Sequence, residues 1–473
     1  MGSKKALIVW LFILIFSVIP LVYASQIEAE NFAFVLVDTI EAKKLNDTRD
    51  FIISQGGKVA ILMPPHVIIG WIPKPLSETL LGTYGIEYIY YTQIDIDNLK
   101  YSDQQTQAAA KFFNDTISGK IEQEKQIATR GDPLINDTRD QPPLDYQKYL
   151  ENLPPGISPS PGNSDTMSGS VAVCLFFIES NGTINNNYYT WTATDVNNTV
   201  NRSLDGVLWW AAQASLNGYT LSFSVYYYPP TSLYMQQGYE PIVHPSTDDY
   251  LWINSIMANL GFGSGNKQDR TSAFNTWLKN YYGTNWAYSV FIGYNPSPAP
   301  STFTNGYFAY AYLGGPYSQL LFRNDGWREA YFGLVLTHET GHIFWACDEY
   351  YQAGYGGCTS CTPCFSLSPR NFVPNLNCEY CNSQAVICMM RHNDYNLCRY
   401  TKYQIGWLPS PSESANVTNF TIPEAGVYPV TFTVSNNGSY SERGQLAISV
   451  SSGLEIIEAD GLTINPLVSV VSN

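Results

Sequence analysis

Thr337-His338-Glu339-Thr340-Gly341-His342 sets two imidazoles four residues apart, with a carboxylate beside the first. On a helix, positions i and i+4 lie one above the other on one face. Two ring nitrogens so placed reach one metal ion at about 2.0–2.1 Å. Glu339 stands badly for ligation. It stands well for taking a proton from a zinc-bound water and passing it to a leaving amine. The chain has only 5 His, and two of them fall in this stretch. The segment therefore predicts a zinc site with His338 and His342 as ligands and Glu339 as the catalytic base.

A catalytic zinc takes a third protein ligand and keeps one position open for water. Asp348, ten residues after His338, can supply it; if the helix runs on, Glu349 faces the metal instead. The spacing from His338 to Asp348 resembles the metzincin peptidases. In that family a Gly three residues after the second His breaks the helix. Here the position is Trp345, and a bulky residue tolerates a positive φ poorly. Metzincins also carry a Met-turn beneath the metal. Cys388-Met389-Met390 is similar to their Ser-Ile-Met pattern, which makes Met390 the floor residue and puts His392 where some members have a metal-touching Tyr.

The resemblance covers about residues 170 to 407 and implies a secreted zinc metalloendopeptidase acting on peptides or proteins. It implies an α+β fold: a metzincin-like catalytic domain with a twisted mixed sheet plus the active-site helix. It also implies that substrate lies along an edge strand just before that helix. The segment from Gly306 to Gly315 is suitably placed for this β-augmentation. A non-catalytic cell-surface binding protein on the same fold is the competing reading, although such a scaffold need not keep Glu339.

Eight of the 9 Cys crowd into 347–398: Cys347, Cys358, Cys361, Cys364, Cys378, Cys381, Cys388 and Cys398. In an exported chain an even cluster reads as disulfides stapling an insertion. Cys174 stands alone in an apolar run and reads as a buried thiol. With no Cys between the signal and Cys174, a thiol from the N-terminal region cannot hold the zinc in a latent state. Calcium has no readable motif here.

Export rests on the start of the chain. Lys4 and Lys5 precede an apolar run from Ala6 to about Val22, and Val22-Tyr23-Ala24 ends in a small residue. Residues 1–24 thus read as a cleaved signal peptide or an uncleaved membrane anchor. N-x-S/T sequons at Asn46, Asn114, Asn136, Asn181, Asn197, Asn201, Asn416, Asn419 and Asn437 agree with a glycoprotein. The 25 Lys+Arg against 40 Asp+Glu leave a formal charge of -15. So acidic a chain is a poor nucleic-acid binder.

A chain of 473 residues is too long for one compact core. Residues 26–128 alternate strand and helix patterns and resemble the propeptide-like α/β domains that precede many secreted peptidases. Residues 129–170 are polar and Pro-rich, a linker. The catalytic domain is expected over 171–407, with Asp325 capping the helix that carries the motif. After a second Pro-rich linker, residues 413–473 alternate apolar and polar, as in a small β-sandwich.

Overall fold

A computed structural model of the protein describes residues 29–127, 166–349, 377 and 386–407, followed by four short strands. The apolar N-terminal run, most of the first linker, and Cys358, Cys361, Cys364, Cys378 and Cys381 lie outside the described residues. The chain divides into one unit ending at Trp407 and a second beginning at Leu408.

The first unit is mixed α/β. Its strands are β1 Phe32–Val37, β2 Lys58–Met63, β3 Val67–Trp71, β4 Ile86–Tyr90, β5 Gly169–Phe177, β6 Glu179–Ser180, β7 Leu221–Tyr228, β8 Gln236–Gln237, β9 Trp286–Gly293, β10 Ala309–Ala311 and β11 Tyr317–Leu321. Nine of them form one sheet in the order β10-β11-β9-β5-β7-β2-β3-β1-β4. The five strands from β11 to β2 run parallel, and antiparallel strands flank them on both sides. At the centre, β5 is buried along all but its first residue. A strand covered on both faces must be apolar throughout, which is why Val171–Phe177 shows no alternation.

Residues 26–128 do not form a separate domain. β2 pairs in parallel with β7, with Ile61 opposite Phe223 and Leu62 opposite Ser224. The run Lys58–Met63 is buried beyond its first residue, so the backbone groups on both of its edges need strand partners. β3 supplies one and β7 the other. Phe112 and Phe113, on the helix Gln104–Ile117, belong to the same core as Phe176 and Trp209. Lys125 reaches Asp205 at 2.7 Å. Residues just before 171 also belong to this unit. The Met167 amide donates to the Ile405 carbonyl at 2.9 Å, and Trp407 Nε1 donates to the Met167 carbonyl at 2.7 Å.

The motif lies on the helix Phe332–Ile343, which crosses the long helix Ala193–Leu216 at two glycines. A Cβ on Gly206 would stand 2.6 Å from the Gly333 carbonyl oxygen, and one on Gly333 2.3 Å from that of Arg202. Only glycine permits so close a crossing. Asp325 does not cap this helix. Asn324, Asp325 and Arg328 take positive φ of 40°, 49° and 58°, so the chain makes two 3₁₀ turns before the helix begins at Phe332. The Asp325 carboxylate instead accepts from Ser301 Oγ at 2.7 Å.

Two sequons are core residues. Asn46 and Asn201 are 6% and 4% exposed. Their amides donate to the Tyr282 carbonyl and to Asp115 Oδ2. Neither side chain can carry a glycan in this fold. No described helix is long and apolar enough to cross a membrane. In the second unit, β12 Glu413–Ala415 pairs antiparallel with β13 Val434–Asn436, and β14 Leu446–Val450 pairs in parallel with β15 Val468–Ser472. The rest of the expected sandwich lies outside the described residues.

Candidate metal centre

The motif helix brings His338 and His342 onto one face, and the chain then turns back on itself. The turn is made at Trp345, with φ 71°. Trp345 adopts a positive φ although a bulky side chain is poorly suited to one. Its indole is accommodated because Gly314 has no side chain: a Cβ there would stand 2.3 Å from the Trp345 ring. The Gly314 amide also donates to the His342 carbonyl at 2.9 Å, fastening the helix end to the segment that follows β10.

The turn delivers Asp348 to the two imidazoles. Asp348 Oδ1 lies 3.0 Å from His338 Nε2 and 3.1 Å from His342 Nε2, and the two Nε2 atoms are 3.1 Å apart. Each Nδ1 faces a backbone carbonyl, Met389 for His338 at 3.0 Å and Ala346 for His342 at 2.8 Å. Nδ1–H donation to those carbonyls leaves both Nε2 lone pairs aimed inward. Tetrahedral ligands at 2.0–2.1 Å from an ion stand roughly 3.3 Å apart. The three donor atoms therefore need to open by only a few tenths of an ångström. These buried groups can hold a metal ion.

His338, His342, Asp348 and Glu339 are 0–1% exposed. Burial alone would raise the Asp348 carboxyl. When the imidazoles are protonated, the charge of His342 and the hydrogen bonds from His338 and His342 outweigh it and hold that carboxyl well below the usual range. Glu349 is not a third ligand. Its carboxylate turns away and accepts from Asn377 Nδ2 at 2.6 Å, Cys398 Sγ at 2.7 Å and Thr401 Oγ1 at 3.0 Å. Its amide donates to the Met390 carbonyl at 2.7 Å. The two neighbouring carboxylates thus point to different partners, Asp348 to the imidazoles and Glu349 to Asn377, Cys398 and Thr401.

Met390 lies beneath the helix, against Gly341. The turn that carries it also holds His338, through the Met389 carbonyl, and the ligand-bearing segment, through the Met390 carbonyl. His392 ends the helical turn Met389–His392. The cysteine expectation divides. Cys347 is disulfide-bonded, whereas Cys388 and Cys398 are buried free thiols, as is Cys174.

Three supports of the site carry no sequence signal. Trp210 Nε1 donates to the Thr337 carbonyl at 2.9 Å, and the Tyr288 hydroxyl bonds Thr340 Oγ1 at 2.9 Å. On β10, Tyr310 donates to Asp249 Oδ2 at 2.6 Å. Its phenol is pushed well above the ordinary value by burial and then by Asp249, and the Glu339 carboxylate adds to the shift. β10, within the segment expected as an edge strand, thus runs beside Glu339. β10 is one of the two edge strands of the described sheet, next to β11, which the sequence patterns did not single out.

Compared with known protein families and with curated proteins, the chain matches none.

Proposed function

We propose that this chain is a zinc-dependent endopeptidase of metzincin type. The observation that carries the reading is the convergence of His338 Nε2, His342 Nε2 and Asp348 Oδ1 to within 3.1 Å, with Glu339 on the same helix. Two nitrogen donors and one carboxylate suit zinc, which held there would supply a Lewis acid for the scissile carbonyl and lower the pKa of the attacking water. Glu339 takes the proton from that water and passes it to the leaving amine. The imidazoles keep their tautomers through the Met389 and Ala346 carbonyls. An extended peptide would add to the outer side of β10 as a further strand.

One observation favours the competing reading of a binding scaffold: Glu339 is 1% exposed, and β10 is buried along its length. In this closed arrangement a peptide does not reach the base. Metal content and peptide hydrolysis of the full chain, beside Glu339→Ala, separate the two. On the peptidase reading both proteins bind zinc and the variant loses on the order of 10²–10⁴ in rate. If both bind zinc and neither cleaves a broad peptide library, the scaffold reading takes its place.

A further inference from the structure

A second set of metal-type donors lies behind the first. Glu349, Cys388 and Cys398 each offer one donor atom, all within 4.8 Å of one another. Their exposures are 0%, 0% and 3%. The Thr401 hydroxyl sits among them, 3.0 Å from Glu349 Oε1, 3.2 Å from Cys388 Sγ and 3.6 Å from Cys398 Sγ. Four donor atoms from three chain segments meet in one buried place.

Chemistry leaves three states for such a group. It can stay a hydrogen-bonded cluster of thiols and carboxylate, it can form a disulfide beside a buried carboxylate, or it can hold an ion. In the structure both sulfurs are thiols, and Cys398 Sγ donates to Glu349 Oε1 at 2.7 Å. Oxidation to a disulfide would remove that donor from a carboxylate that water does not reach. An ion uses all three groups at once.

We propose that Glu349, Cys388 and Cys398 form a second, closed site for a borderline-soft divalent cation of the zinc type, with the Thr401 hydroxyl at its fourth corner. Two thiolates and one carboxylate select such a cation over magnesium or calcium. Binding releases the thiol protons to solvent. The charge of Lys402, which acts on both sulfurs, offsets the excess negative charge. The ion would pin Glu349 to the Met389–Met390 turn, and so fix the segment that presents Asp348 to the carbonyl that orients His338. The site is structural, and it stands whether or not the chain is a peptidase.

Cobalt(II) reports thiolate ligation through near-ultraviolet charge-transfer absorption, which the His338 triad cannot give. The full chain, stripped with chelator and reloaded with cobalt, should show this band. His338→Ala/His342→Ala should lower cobalt from two equivalents to one and keep the band. Cys388→Ser/Cys398→Ser should lose the band and keep one equivalent. Should that variant not fold, the parent and the His variant suffice. Absence of the band from both overturns the site, and so does a Cys388–Cys398 disulfide found by peptide mapping of the metal-loaded parent. Failure of peptide cleavage bears on the first site alone.

Discussion

The sulfur of Met390 occupies the space in which a side chain at position 341 would begin: a Cβ on Gly341 would stand 2.7 Å away from it. Glycine inside a helix costs about 1 kcal/mol relative to alanine, so Gly341→Ala would ordinarily stabilise. Here the sign reverses, because the new methyl must displace Met390 or the helix that carries both imidazoles. Gly341→Ala should weaken zinc binding roughly tenfold, the scale of a lost ligand-supporting contact. Adding Met390→Ala should recover part of the loss. Chelator competition measures both, and equal affinities for parent and Gly341→Ala would show the contact to be idle.

Asp348 and Glu349 can be told apart by where they act. Asp348→Ala should reduce metal affinity at the imidazoles on the order of 100-fold or more. Glu349→Gln should leave it nearly intact. The imidazole resonances of His338 and His342, followed during zinc titration, report this site and not the thiol cluster. Loss of the shifts in Glu349→Gln with their survival in Asp348→Ala would reverse the assignment.

The N-terminal residues should not be removable. Deleting 29–127 takes away β1 to β4, uncovers the edge of β7 and strips Phe112 and Phe113 from the core. Exposed strand edges and apolar faces aggregate. The truncated chain should be insoluble or lack a cooperative unfolding transition. A soluble, folded fragment beginning at residue 166, seen by size exclusion and circular dichroism, would contradict this.

Glu240 makes stability fall with rising pH. Burial pushes its carboxyl up from 4.5 to about 7, although the Tyr189 and Ile242 amides donate to it. A carboxyl whose folded value lies above its unfolded value binds more protons when folded. Its stabilising contribution is present below about pH 4.5 and is lost as pH rises through 7. The loss amounts to at most about 3 kcal/mol. Glu240→Gln keeps a carbonyl acceptor and no titrating proton, so it should flatten this part of the profile. Urea midpoints at pH 4.5 and 8 for the two proteins test it, and parallel profiles would refute it.

What was legible in the sequence was local. His338 and His342 share a face because helix geometry fixes i and i+4, and the helix, the strands of 32–90 and the apolar run of β5 followed from short-range patterns. Asp348 was reachable from its spacing. What the sequence left open was decided between segments distant in the chain. Whether Asp348 or Glu349 faces the imidazoles depends on how the chain turns at Trp345, and that turn is permitted by Gly314, thirty-one residues earlier. That residues 26–128 belong to the main sheet depends on β7, more than a hundred and fifty residues after β2. Burial of Asn46 and Asn201, and the meeting of Glu349 with Cys388 and Cys398, likewise arise from packing. Periodicity records which face of an element is apolar; it does not record which other element covers that face. That second choice is made only when the whole core closes.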